Sequence, residues 1–210
     1  MFTKLVSNSI KKAVRYCGKT IRNLYVSEAG LKAAKNKIRS ELRQMGLLSV
    51  GSPLDEVQCI HAGALSKETL SGIVGVMGFF YPWDQNIHIP AVCFASLFPW
   101  AQGRCLADVL RHEYGHALEG KYPKFIHNNE FRKVFGKAYG DKKSSDTNAN
   151  HYVSTYAMTC SQEDFAETFM YYIKHKGKVP LKWSDNRAIR AKWSFIDGLC
   201  TTISKQIEPL

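Results

Sequence analysis

Long apolar runs are missing from this sequence. No stretch approaches the ~18 consecutive apolar residues that a membrane-spanning helix requires, so a helical membrane protein is set aside. The longest apolar stretch, Gly72 to Phe80, is broken by glycines and reads as a buried strand. Paired-cysteine spacing is also missing. Cys17, Cys59, Cys93, Cys105, Cys160 and Cys200 are scattered, with no C-x-x-C pair and no zinc-finger spacing, which excludes a cysteine-built zinc module. A chain of 210 residues can bury a real core without covalent staples, so the thiols are expected to be reduced and packed as small apolar groups. No apolar stretch of about 7–15 residues follows the basic start, so no secretory signal is expected. The expected location is the cytoplasm, or another cell reached without a classical signal peptide.

Acid is scarce where base is plentiful. Residues 1–43 hold eleven Lys or Arg against two acids, Glu28 and Glu41, so one fifth of the chain carries most of the formal net charge of +11. The remainder is nearly neutral. Residues 1–50 are therefore read as a basic helical arm and residues 51–210 as the main domain, with the break at Gly51-Ser52-Pro53. A solvated surface helix is the expected state of the arm. A transit peptide has a similar composition, and nucleic acid or an anionic membrane are the partners such charge permits.

Apolar positions recur at helical period over residues 3–24. A second helix is expected from Ser27, as N-cap, to about Met45, stopped by Gly46. Glu56 to Ala62 alternates like a strand. Ile73 to Tyr81, a turn at 82–86 and Ile87-His88-Ile89 read as a hairpin. From about Arg104 the period turns helical again, until Gly120 and Pro123. Further helices are expected at Asn129–Ala138, for about fourteen residues from Ser161, and over Asp185–Ser204, with a polar loop at 140–150. The fold class is α+β: mostly helical, with a small antiparallel or mixed sheet before the helix that starts near Arg104. The aromatic group Phe79, Phe80, Tyr81, Trp83, Phe94, Phe98 and Trp100 is assigned to the core, with one wall of a pocket as its other possible use.

The helix from Arg104 contains His112-Glu113-Tyr114-Gly115-His116, an H-E-x-x-H motif. Residues i and i+4 sit one turn apart, roughly 6 Å, on one helix face. Two imidazoles there can reach a single zinc ion, and Glu113 beside the first can take a proton from a water the metal activates. Leu106, Val109, Leu110, Ala117 and Leu118 make this a buried helix, where two histidines and an acid are costly without a partner. The metzincin extension fails, because Glu119 and Tyr122 stand where Gly and His would be needed. The third ligand is assigned to Glu163. It lies four residues from Glu167, on the same face, beside Phe165, Ala166 and Phe169. Glu167 is assigned to the ring N–H of a ligand histidine, and Asp164 to a capping box with Ser161. His127, Asp146 and His151 are the alternatives to Glu163.

H-E-Y-G-H followed by Tyr156-x6-Glu163-x-Phe-Ala-Glu167-x-Phe resembles the gluzincin metallopeptidases, in particular the catalytic domain of the anthrax lethal-factor type. The likeness covers about residues 104–173. It implies a zincin-like fold and one zinc ion on His112, His116 and Glu163. It also implies Glu113 as general base and Tyr156 as a hydrogen-bond donor to the oxyanion or leaving group. Trp183 to Leu199 is similar, more faintly, to small bacterial zinc-binding peptidases. The expected activity is a zinc metalloendopeptidase acting on protein or peptide. The alternative is a non-enzymatic zinc-containing protein that binds nucleic acid or anionic membrane through its basic arm. A purely structural zinc is disfavoured, since such sites are usually closed Cys/His sets. The strand Ile87–Ile89 is expected to offer an edge to an extended peptide.

Overall fold

The computed structural model describes residues 26–62, 78–90, 104–136 and 148–207. The helix expected over 3–24, positions 73–77 of the expected hairpin, Phe94, Phe98, Trp100 and most of the polar 140–150 stretch lie outside those residues. The described elements run α1 (Glu28–Gln44), β1 (Cys59–Ala62), β2 (Phe79–Tyr81), β3 (Asn86–Pro90), α2 (Leu106–Lys121), α3 (Pro123–Ile126), α4 (Asn129–Phe135), α5 (Ser161–Lys174) and α6 (Arg187–Ile207). Short 3₁₀ turns lie at Ala149–His151, Tyr156–Met158 and Leu181–Trp183. The architecture is α+β, mostly helical with one small mixed sheet. None of the described helices is long and apolar enough to cross a membrane.

Local chemistry sets most boundaries. The Ser27 hydroxyl accepts the Gly30 amide at 3.0 Å and starts α1. Gly46 closes it at φ +70°, a left-handed stop that a Cβ would strain. Asn128 caps α4 through the Phe131 amide, and Gly136, at φ +77°, ends it at Phe135, earlier than the periodicity predicts. The N-cap of α5 is Cys160 and makes no side-chain cap bond. The expected Ser161–Asp164 capping box is therefore out of register by one residue. Asp164 instead meets Lys192 of α6 at 2.6 Å, a buried ion pair.

The sheet order is β1-β3-β2. β3 runs parallel to β1, pairing Cys59 with Ile87, and antiparallel to β2, pairing Phe80 with Ile87. The strand Asn86–Pro90 is thus central. The expectation that Ile87–Ile89 offers an edge is overturned, because both of its sides are already bonded; among the described residues β2 holds an outer position.

Helix α2 lies at the centre, against α5, α1 and the sheet, and its residues 107–115 are all buried. Two contacts draw the neighbours in. A Cβ on Gly115 would stand 3.0 Å from the Ala166 Cα and 3.3 Å from a Phe169 ring carbon, so glycine here lets α5 approach closely. Arg111 makes paired 2.8 Å bonds to the Glu41 carboxylate of α1 and a 2.7 Å bond to Asp108, which also accepts from Lys174 of α5. Leu31, Ile38 and Leu42 of α1 join the same core as Leu110, Tyr114 and Ile173. Although it belongs to the basic segment of the sequence, α1 shares its apolar face with residues beyond 51.

Candidate metal centre

One turn of α2 carries His112 and His116, and their Nε2 atoms come within 3.2 Å of each other. Glu163, in the first turn of α5, places Oε2 at 3.1 Å from the His112 Nε2 and 3.5 Å from the His116 Nε2. Around a tetrahedral ion with bonds of about 2.0–2.1 Å, ligand atoms stand about 3.3–3.4 Å apart. The triangle has the size of one face of that tetrahedron. Glu163 Oε2 is buried without a hydrogen bond of good geometry, an acceptor that a cation would satisfy. The side chains of His116 and Glu163 are still 19% and 21% exposed, so the face opens outward. Two imidazoles and a carboxylate with an open side fit a catalytic zinc site and not a closed structural one.

The electrostatics of the triangle point the same way. Burial alone would lower the His112 pKa, yet the neighbouring Glu163 and Glu167 carboxylates push it up to about 10. Burial alone would raise the Glu163 pKa, yet the two imidazoles hold it well below the usual carboxylate range. Buried acids gathered round one ring demand positive charge at this point, supplied by protons or by a metal ion.

Glu113 is 5% exposed. Burial lifts its carboxyl above the ordinary range, against the pull of His112 and His116. Its Oε2 accepts the Phe80 amide of β2 at 2.8 Å, which pins one oxygen of the carboxylate. Tyr156 sits on the 3₁₀ turn before α5, its ring tilted by 44° and 5.8 Å from the His112 ring. Burial, then the charges of Glu163 and Glu113, raise its phenol pKa, so it stays a protonated donor at neutral pH.

Glu167 is fully buried. Its Oε1 accepts from the His112 Nδ1 at 2.7 Å, which directs the lone pair on Nε2 toward the triangle. Its Oε2 accepts from the Ser154 hydroxyl at 2.6 Å and from Arg104. Against the desolvation that would raise it, these donors hold the Glu167 pKa low. Arg104 and Ser154 are contacts the sequence reading missed. The one available signal was physical: a second buried acid facing inward requires donors. The alternatives to Glu163 lie elsewhere. His127 pairs with Glu119 at 2.8 Å and His151 meets Asn148 at 3.1 Å, while Asp146 lies outside the described residues. Among the described residues, the set whose donor atoms converge as a metal site is His112, His116 and Glu163.

No curated protein and no solved structure matches the chain. A family model described as "putative zinc-binding metallo-peptidase" matches residues 101–188. That span contains the α2 motif, Tyr156, Glu163 and Glu167, and the match supports, at the level of the class, a zinc-binding metallopeptidase.

Proposed function

We propose that the chain is a zinc metalloendopeptidase of the gluzincin arrangement, holding one zinc ion on His112, His116 and Glu163 and cleaving a protein or peptide substrate. The single observation that supports this most is the triangle of 3.1, 3.2 and 3.5 Å between the donor atoms, sized for one tetrahedral ion. When bound, zinc supplies Lewis-acid activation of a water and of the scissile carbonyl.

The chain's own residues do the rest. Glu113, anchored through Oε2 to the Phe80 amide, works with its other oxygen. It receives a proton from the attacking water and hands it to the leaving amine. Burial raises its carboxyl pKa above the ordinary range, which favours its holding the proton it has taken. Tyr156, protonated beside the His112 ring, donates to the oxygen on which charge develops. Glu167 fixes the His112 ring through Nδ1.

The test is zinc content and peptide cleavage measured together on wild type, Glu113→Gln and Glu163→Gln. We expect one equivalent of zinc in wild type and in Glu113→Gln, cleavage by wild type alone, and weak zinc binding by Glu163→Gln. Full zinc binding by Glu163→Gln would remove that residue from the ligand set. A wild type without zinc would end the metallopeptidase reading.

A further inference from the structure

Arg104 is the residue from which the site's two halves are both reached. It stands just before α2, and its guanidinium donates through Nη2 to Glu167 Oε2. The opposite oxygen of the same carboxylate holds the His112 ring at 2.7 Å. The Arg104 guanidinium carbon also lies 5.7 Å from the centre of the Tyr156 ring, within cation–π reach. Tyr156 in turn faces the His112 ring. Ser154 reinforces the link: its hydroxyl donates to Glu167 Oε2 at 2.6 Å and accepts the Ala157 amide at 3.1 Å, tying the turn that carries Tyr156 to the same carboxylate.

We propose that Arg104 is a positioning residue that orients the metal-binding ring of His112 through Glu167 and, with its other face, sets the ring of Tyr156. The physical case is one of geometry. A carboxylate buried with 0% exposure can turn about its last torsion unless each oxygen is held. Here Oε1 goes to His112 and Oε2 to two donors on different segments, the strand of chain entering α2 and the turn entering α5. An arginine suits both tasks, because its planar guanidinium donates along its edge and leaves its faces free for a ring, here with its carbon 5.7 Å from the Tyr156 ring centre. A lysine keeps the charge and loses the face. Two functions in one guanidinium make metal affinity and turnover separable by substitution.

The proposal rests on the zinc peptidase reading, so its test starts from the zinc affinity of the full chain, measured by chelator competition. Steady-state kinetics on a peptide and the proton resonance of the His112 Nδ1–H complete it. For Arg104→Met we expect zinc binding weakened by about 10- to 100-fold, faster solvent exchange of the His112 Nδ1 proton, and a lower kcat. For Arg104→Lys we expect zinc affinity within a few-fold of wild type but a reduced kcat at unchanged KM, since a donor to Glu167 remains while the Tyr156 ring loses its support. Should Arg104→Met fail to fold, Arg104→Gln, a neutral donor, takes its place. Wild-type zinc affinity and kcat in these variants would overturn the proposal and leave the peptidase reading standing. A wild type that binds no zinc would overturn both.

Discussion

A half-buried tyrosine beside the ring of a candidate metal ligand could be packing alone, so the residue scale turns on what its hydroxyl does. The ring contacts of Tyr156 with His112 and Arg104 would survive loss of the hydroxyl. Tyr156→Phe therefore removes the hydrogen-bond donor, with its contact to the Glu163 carboxylate, and leaves the ring. Loss of a single oxyanion donor typically lowers kcat by about 10²–10³, and that is the expected result, with KM little changed and zinc content equal to wild type. A kcat within twofold of wild type would reduce Tyr156 to an aromatic wall. The pairing of His112 with His116 was legible in the sequence, because a spacing of four residues on a helix fixes two imidazoles on one face. The pinning of Glu113 by the Phe80 amide was not legible. A backbone donor contributed by a strand 33 positions away leaves no mark in residue identity.

Between elements, the decisive contact is the one that brings α5 onto α2. Gly115 lies inside the motif, and its missing Cβ is what lets the Ala166 backbone come near. Gly115→Ala puts a methyl 3.0 Å from the Ala166 Cα. Backbone cannot swing aside, so the helices must part by a few tenths of an ångström. Overpacking of this kind costs about 1–3 kcal/mol, offset by about 1 kcal/mol of improved helix propensity. The net change in unfolding free energy is then small, but Glu163 rides on the displaced helix. We expect zinc affinity to fall by roughly tenfold or more while the protein stays folded, read by chelator competition beside urea unfolding. Unaltered zinc affinity would mean that α5 is free to shift without moving Glu163. The long described helices were legible: α1, α2, α5 and α6 each sit within two or three residues of the expected bounds, because long amphipathic periods with caps are strong signals, whereas the four-residue α3, at the Pro123 read as a stop, was not. Sheet order was not. That Asn86–Pro90 is central, flanked by a parallel β1 and an antiparallel β2, depends on a long-range pairing that local alternation does not encode.

Across the whole molecule, stability should depend on pH through a charge network that ties three helices together. Asp108 of α2 is 3% exposed and accepts from Arg111 at 2.7 Å and from Lys174 of α5 at 2.9 Å. Arg111 carries the link on to Glu41 of α1. Burial alone would raise the Asp108 pKa; the Lys174 hydrogen bond and the two cations more than offset it, so the folded value lies below the ordinary one. A depressed folded pKa fixes the sign. Above the ordinary aspartate value, near pH 4, both folded and unfolded chains carry the charged group and its stabilisation is complete. As pH falls below that value the unfolded chain takes up the proton first, and the contribution shrinks until pH has passed the lowered folded value. The difference in unfolding free energy between wild type and Asp108→Asn should thus be flat from about pH 7 to about pH 5 and narrow progressively toward about pH 3. Zinc-free protein is the sample to use, so that loss of a bound ion on acidification does not enter; the shifted groups of the triangle are common to both proteins and cancel in the difference. Urea unfolding at each pH gives the two curves. A difference that stays constant to the acid limit would show that Asp108 titrates alike in both states, and that the helices are held by the apolar faces of Leu31, Ile38 and Leu42 without help from this network.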